Sequence, residues 1–346
     1  MLGTGLVIHW VHRPRGYFGH AILSQPFGVL SAWDGLWYRR IAEHGYLLVP
    51  GRQSDTAFFP LYPALLRVLH RTGLPLGAAG LLLANLVFLL ALLLLYELGL
   101  DVLPVADARR AVAFAAVFPT GYVFSMLYPE SVVLACIGVA VLLALRGRWL
   151  GCSLAAAAAT LARPEGALLA LPIAAAAAAR WRTLDPDARG RALAAIAAGP
   201  AALLAFALYL GWALHDPFAW SEAQRAWGRS FQAAGVVLSF RRVVTDIGVD
   251  PWGARDLAFC LVDVALIIAA ARAGIRRAWI LFGLAVVLLP LTSGTVESDA
   301  RFGLLAVPVY WGLAVVSRRR WVERSMLAAS AALLVAATAT IPLVFP

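Results

Sequence analysis

About ten apolar runs joined by short polar segments constrain this chain more than any motif it carries. They fall at roughly 76–99, 109–126, 129–146, 149–163, 166–180, 191–214, 257–273, 277–294, 302–317 and 325–344. A bilayer core about 30 Å thick takes about 20 apolar residues as a helix, and every backbone polar group inside it must be satisfied within the protein. The runs therefore predict an all-α polytopic membrane protein with about 10–11 transmembrane helices, several of them short enough to be broken. Residues 1–10 read as the end of a further helix. Hydrophobic residues are 62% of the 346 and charged residues 14%, far from the near-half and quarter of a soluble domain. The organisation expected is one integral-membrane domain over 1–346 with two long loops, 13–75 and 215–256, the first carrying interfacial helices.

Arginine orients the spans. All 29 basic residues are arginine, a composition that with abundant alanine marks a GC-rich bacterial genome. The loops around 100–110, 146–148, 180–191, 272–277 and 318–324 hold fifteen of them, and the short loops at 128–130, 163–166 and 295–301 hold two. By the positive-inside rule the first set is cytoplasmic, so both long loops face outward from a bacterial plasma membrane. Clustering between apolar spans also explains the net charge of +10 as topology, and no nucleic-acid partner is expected. The cytoplasmic loops are too short for a nucleotide-binding domain, and no G-x-x-x-x-G-K-[ST] phosphate loop occurs. Cys136, Cys152 and Cys260 lie in apolar spans and read as small hydrophobes. No cleavable signal peptide is evident, because the first ten residues carry no basic stretch.

The polar residues that stand out gather on the outward side. As a helix, 33–45 places Trp33, Leu36, Trp37 and Ile41 on one side and Asp34 with Tyr38 on the adjoining face, and spaces Arg39 and Glu43 for an ion pair. Such a helix lies in the membrane interface, either as an aromatic anchor or as the carrier of a poorly solvated carboxylate suited to general-base work. A second amphipathic stretch runs from Phe58 to Arg71, with Asp55 or Thr56 placed to cap it and Asp55 a second candidate carboxylate. Glu130, Arg163, Glu165, Glu297, Asp299 and Arg301 fall at outward helix ends. Two arginines beside a carboxylate suit a lipid phosphate, and the same residues suit mutual ion pairs. Asp263 lies within a span, where a structural hydrogen bond is expected. Trp220, Gln224, Trp227, Arg229 and Trp252 suit either stacking on sugars and anionic lipid or an interfacial belt. Asp185-Pro186-Asp187 reads as a solvated turn; no D-x-D metal motif is left in the outward loops, and no metal is expected.

The order of these pieces resembles the PIG-V family of membrane mannosyltransferases, within the GT-C superfamily of enzymes that use lipid-phosphosugars. The matching residues are Trp33-Asp34-Gly35-x-Trp37-Tyr38-x-x-Ile41-Ala42-x-x-Gly45-Tyr46 and Ala57-Phe58-Phe59-Pro60-Leu61-Tyr62-Pro63. Phe118-Pro119-Thr120, Tyr128-x-Glu130-Ser131, Ala162-Arg163-Pro164-x-Gly166, Asp216-Pro217-x-Ala219-x-x-x-Ala223-Gln224 with Trp227, and Arg301-Phe302 follow in order. The resemblance implies a GT-C-type fold and transfer of mannose from a polyprenyl-phosphate carrier, by inverting displacement, to a glycolipid, lipoglycan or exported-protein acceptor. It implies Asp34 as the base, Arg163 and Arg301 as donor-phosphate ligands, and Trp37, Tyr38, Tyr62, Glu130, Gln224 and Trp227 as sugar or acceptor contacts, with no cofactor. A transporter or flippase of polyprenyl-linked saccharides is the rival expectation, although no internal repeat of the kind transporters carry is found. A non-catalytic subunit of a glycosylation complex is the third.

Overall fold

The computed structural model describes residues 28–246 and 251–340, and every regular element among them is a helix. The helix expected at 1–10, and the 13–75 loop as far as residue 27, lie outside the described residues.

Two short helices come first. α1 (Asp34–His44) closes at Gly45, whose φ of 83° only glycine adopts freely and whose N–H reaches the Ile41 carbonyl. α2 (Leu61–His70) begins after Pro60 and holds Pro63 in its first turn, where no intrahelical N–H is needed. Arg67 of α2 donates from Nε to the Ala42 carbonyl at 2.6 Å and from Nη2 to that of Ile41 at 2.9 Å, satisfying the open end of α1. The expected cap of α2 by Asp55 or Thr56 is not formed. Both fold into the 3-10 turn Asp55–Ala57, where Asp55 Oδ1 accepts the Leu47 N–H at 2.7 Å and Thr56 Oγ1 donates to the Ala219 carbonyl at 3.0 Å.

The bundle follows. Its first half is α3 (Leu76–Leu100), α4 (Val105–Ala116), α5 (Glu130–Leu145), α6 (Trp149–Ala162), α7 (Ala170–Arg180) and α8 (Pro186–Leu214). Two polar-faced helices, α9 (Ala219–Ala226) and α10 (Gly235–Asp246), lead to α11 (Pro251–Arg272), α12 (Arg277–Leu288), the single turn α13 (Asp299–Phe302), α14 (Val307–Val316) and α15 (Arg320–Thr340). Packing closes a ring: α3 lies on α4, α4 on α14, α14 on α11, α11 on α12, α12 on α7, α7 on α8, α8 on α6, and α6 on α5, which returns to α3. α5 is apolar all round and almost wholly buried, as a helix with no polar face must be. Its first residue is Glu130, so the central helix delivers a carboxylate to one end of the bundle.

Three helices are long and apolar enough to cross a membrane, α3, α8 and α15, and a fourth is reached if the bent pair 299–305 and α14 counts as one span. Their outer surfaces carry Leu86, Leu89, Leu93, Leu204, Leu208 and Val335, all exposed, as lipid-facing positions would be. Several of the ten expected spans are cut short, and proline does the cutting. The run at 109–126 stops at Ala116 because Pro119 denies an N–H and pushes Phe118 out of the helical region. Pro290 ends α12, and Pro164 opens the 3-10 turn Pro164–Leu169 ahead of α7. The run at 302–317 bends by 85° around Ala306, next to the turn that starts α14 with Pro308. At the end away from Glu130, Asp107 pairs with Arg110 and, at 2.7 Å, with Arg318, while Asp101 meets Arg276 at 2.7 Å. Asp185 caps α8 by accepting the Ala188 N–H at 2.7 Å, the exposed turn expected of Asp185-Pro186-Asp187.

Candidate functional site

The site is built where helix ends meet. Asp34 opens α1, Glu130 opens α5, Arg163 follows the last residue of α6, and Arg301 sits on α13. Two of the residues that precede these turns have positive φ although they are not glycine: Trp33 at 58° before Asp34, and Ser298 at 71° before Asp299. Left-handed backbone in a side-chain-bearing residue is held only where surrounding packing over-determines it.

The charged side chains form one alternating chain. Asp34 Oδ2 meets Arg301 Nη1 at 2.6 Å, Arg301 Nε lies 3.4 Å from Glu130 Oε1, and the same oxygen accepts from Arg163 Nη1. Arg163 then grips Glu165 with two bonds, Nε to Oε2 at 3.2 Å and Nη2 to Oε1 at 3.0 Å. Burial alone would raise the Glu165 carboxyl above its ordinary range; the Arg163 guanidinium outweighs it and holds the group below. All of Asp34, Glu130, Arg163 and Arg301 are buried, Glu130 completely. Charges this enclosed persist only when paired.

Phe302 organises the cations. The guanidiniums of Arg163, Arg229 and Arg301 lie 4.8, 5.7 and 5.7 Å from its ring centre, and Arg301 also lies 5.1 Å from that of Tyr128. The Tyr128 hydroxyl accepts the Asp34 N–H at 3.1 Å, fixing the start of α1. Arg229 differs from the other two. It donates to the Glu297 carbonyl at 3.1 Å and to Ser298 Oγ at 3.3 Å, and among the described residues no carboxylate pairs with it.

Around this chain lies a narrow cleft of about 90 Å³, lined by Asp34, Tyr38, Arg163, Gln224, Trp227, Arg229, Arg301 and Phe302 among others. Polar groups from four separate elements of the chain face this small space, which is roomy enough for ordered water. Beside it lies a larger, mostly apolar groove of about 420 Å³, whose walls include Leu168, Trp220, Phe231, Val286 and Leu289. Phe59, Glu165, Gln224, Arg229 and Phe302 line both spaces.

The expected site residues divide accordingly. Asp34, Arg163, Arg301, Tyr38, Gln224 and Trp227 line the cleft. Trp37, Tyr62 and Glu130 do not: Trp37 stacks on Phe58 at 5.8 Å and meets Trp227 edge-on at 5.5 Å, and Tyr62 is sealed behind Tyr38 with its hydroxyl unpartnered. Glu130 stands behind the two arginines as their common counter-ion. Arg39 and Glu43 form the expected pair at 3.2 Å. The face of α1 that is buried is Asp34, Gly35, Tyr38, Ile41 and Ala42; of the side predicted from Trp33, Leu36 and Trp37, only Ile41 belongs to it. Burial raises the Tyr38 hydroxyl above its ordinary pKa, so it stays a neutral hydrogen-bonding group at the cleft wall.

Two expectations need correction. Asp55, the alternative carboxylate, is enclosed by its own turn and by Arg40 at 3.6 Å and does not line the cleft. Asp263 lacks the hydrogen bond expected of it: neither oxygen has a partner among the described residues, and the carboxyl occupies the space where Gly303 has no side chain. Phe302 and Tyr128 were legible only as members of a motif, with no periodicity to mark their contacts to three arginines. Among the described residues no three His, Cys, Asp or Glu side chains come together to hold a metal ion. No protein-family model matches the chain, and no curated protein matches it either.

Proposed function

We propose that the chain is a multi-pass membrane glycosyltransferase of a bacterial plasma membrane, with its cleft on the outward side, and that it transfers mannose from a polyprenyl-phosphate carrier. The observation that carries the reading is the adjacency of two spaces that share Phe59, Glu165, Gln224, Arg229 and Phe302 in their walls. A buried carboxylate and guanidinium line a charged cleft, a mostly apolar groove lies beside it, and Arg229, whose hydrogen bonds go to neutral acceptors, lines both. That layout suits a substrate with an apolar tail, an anionic phosphate and a sugar head, in that order. The arginine-rich loops at the opposite end support the outward orientation. The resemblance to the PIG-V family names the sugar.

In this reading the donor phosphate docks on Arg229 and Arg301 with its lipid tail in the groove. The phosphate then competes with Asp34 for Arg301, so donor binding both opens the narrow cleft and releases the base. The acceptor hydroxyl oxygen attacks the sugar C1 from the side opposite the phosphate, and the bond between C1 and the phosphate oxygen breaks with its electron pair. The hydroxyl proton passes to Asp34, and polyprenyl phosphate leaves as an anion stabilised by the arginines. Glycolipid, lipoglycan and exported-protein acceptors all present such a hydroxyl.

The test is transfer by the purified protein in lipid vesicles from radiolabelled polyprenyl-phosphomannose to a crude lipid and membrane-protein acceptor mixture, with Asp34→Asn alongside. Transfer by the wild type that falls by about 10²–10⁴-fold in the variant supports the enzyme and its base. Transfer surviving in the variant removes Asp34 from the mechanism. One observation favours the flippase instead: the unpartnered Asp263 beside the 85° bend, since transporters place ionisable groups at broken helices. Lipid-linked sugar crossing the bilayer without transfer, and lost in Asp263→Asn, would decide for it.

A further inference from the structure

A third space adjoins the cleft, and the mechanism above leaves it unused. It measures about 390 Å³, within the range of small-ligand sites, and is lined by Trp227, Arg242, Trp252, Arg255, Asp256 and Glu297 among others. Its position is informative. Trp227 is its common wall with the charged cleft, and Glu297 and Thr295 are its common wall with the apolar groove. An occupant would therefore lie beside a bound donor, with one end at the edge of Trp227.

The chemistry of the lining selects the occupant. Among the described residues, two arginines and three carboxylates, Asp246, Asp256 and Glu297, line it and leave no excess of positive charge, so neither a phosphate nor a polyanion is favoured. Two tryptophans with interleaved donors and acceptors disfavour an acyl chain. Hydroxyl groups donate and accept at once, and a sugar ring also presents an apolar C–H face that lies flat on an indole. Hydrogen bonds connect this frame to the charged cleft. Asp256 Oδ1 holds Arg255 Nη2 at 2.7 Å and its Oδ2 accepts the Ser298 N–H at 2.7 Å, tying this wall to the turn that carries Arg301. Arg255 in turn lies 5.5 Å from the centre of the Trp252 ring, which is 44% exposed.

We infer that this pocket binds a neutral saccharide, and that the acceptor is accordingly a glycan presenting its terminal hydroxyl past Trp227 to Asp34. The acceptor role rests on the glycosyltransferase reading; the binding of a saccharide does not.

The experiment separates the two. The full chain in lipid nanodiscs is dialysed to equilibrium with tritiated mannotriose, as wild type, Trp252→Ala, Glu297→Gln and Asp185→Asn. Saturable binding is expected, weakened about tenfold by Trp252→Ala, which is what the loss of one stacked ring amounts to. Glu297→Gln, which preserves size and every tryptophan, is expected to weaken binding as well, and Asp185→Asn, in the exposed turn that starts α8, to leave it within about twofold. Absence of binding to the wild type, binding indifferent to both pocket substitutions, or displacement of mannotriose from a site that Trp252→Ala does not touch would overturn the inference. So would a threonine-rich peptide that binds in a Trp252-dependent way while mannotriose does not. Trp252-dependent mannotriose binding with no transfer from any labelled donor would uphold the pocket and remove only the enzymatic reading.

Discussion

Asp34 meets Arg301 through one oxygen, Oδ2, at 2.6 Å, and its own N–H is held by the Tyr128 hydroxyl, so both ends of the residue are fixed. The arginines divide their work. Arg163 spends its donors on Glu130 and Glu165, which makes it a structural counter-ion before it is a ligand. Arg163→Ala would leave Glu130 buried beside Arg301 alone, and a destabilisation of about 3–5 kcal/mol is expected in thermal or denaturant unfolding in detergent. The double variant Arg163→Ala with Glu130→Gln should recover part of that loss, because the stranded charge is gone with its partner. Arg229 has the opposite balance: its hydrogen bonds go to neutral acceptors, the Glu297 carbonyl and Ser298 Oγ. If the proposed reading holds, Arg229→Gln should raise the KM for the polyprenyl-phosphate-linked donor about tenfold or more while leaving the unfolding midpoint nearly unchanged. An unchanged KM would take Arg229 out of phosphate binding.

At the scale of elements, the site depends on helices that approach more closely than side chains allow. α14 crosses α11 at Gly312, where a Cβ would sit 2.7 Å from the Leu266 carbonyl carbon and closer still to its oxygen. Gly312→Ala must push the two helices apart, and overpacking of this kind costs about 1–3 kcal/mol. Because α13 and the bend around Ala306 continue into α14, the same substitution should disturb Arg301 and lower transfer as well as stability. A Gly312→Ala protein with wild-type unfolding would show that the contact is not as tight as the backbone geometry requires. Gly303 is filled by the Asp263 carboxyl in the same region, so the bent segment is packed against polar as well as apolar groups.

At the scale of the whole molecule, alternating helix direction carries Glu130, Arg163 and Arg301 to one end and Arg110, Arg276 and Arg318 to the other. The arginine count of the loops then predicts which end is outside. With Cys136, Cys152 and Cys260 replaced by alanine, a cysteine at Ser221 should react with an impermeant maleimide from outside intact cells, and one at Thr183 only after permeabilisation. The reverse pattern would turn the cleft toward the cytoplasm and remove an outward lipid-linked donor from consideration.

Local chemistry determined much of this protein. The apolar runs fixed an all-helical chain suited to a membrane, the i,i+4 spacing of Arg39 and Glu43 produced their pair, and Gly45 and Pro60 set the ends of α1 and α2. Even the broken helices were written in Pro119, Pro164, Pro290 and Pro308, whose effect outweighs the hydropathy around them. What only the tertiary structure decided is pairing. Asp34 and Arg301 lie 267 positions apart, and Glu130 and Arg163 33. A charge at a helix end has no periodicity to say which other helix end it will face. Whether Arg163 stands free or spent, whether Tyr62 lines a cleft or lies sealed behind Tyr38, and where an apolar groove meets a charged one all follow from how the ring of helices closes, because burial is a property of neighbours that sequence order does not bring together.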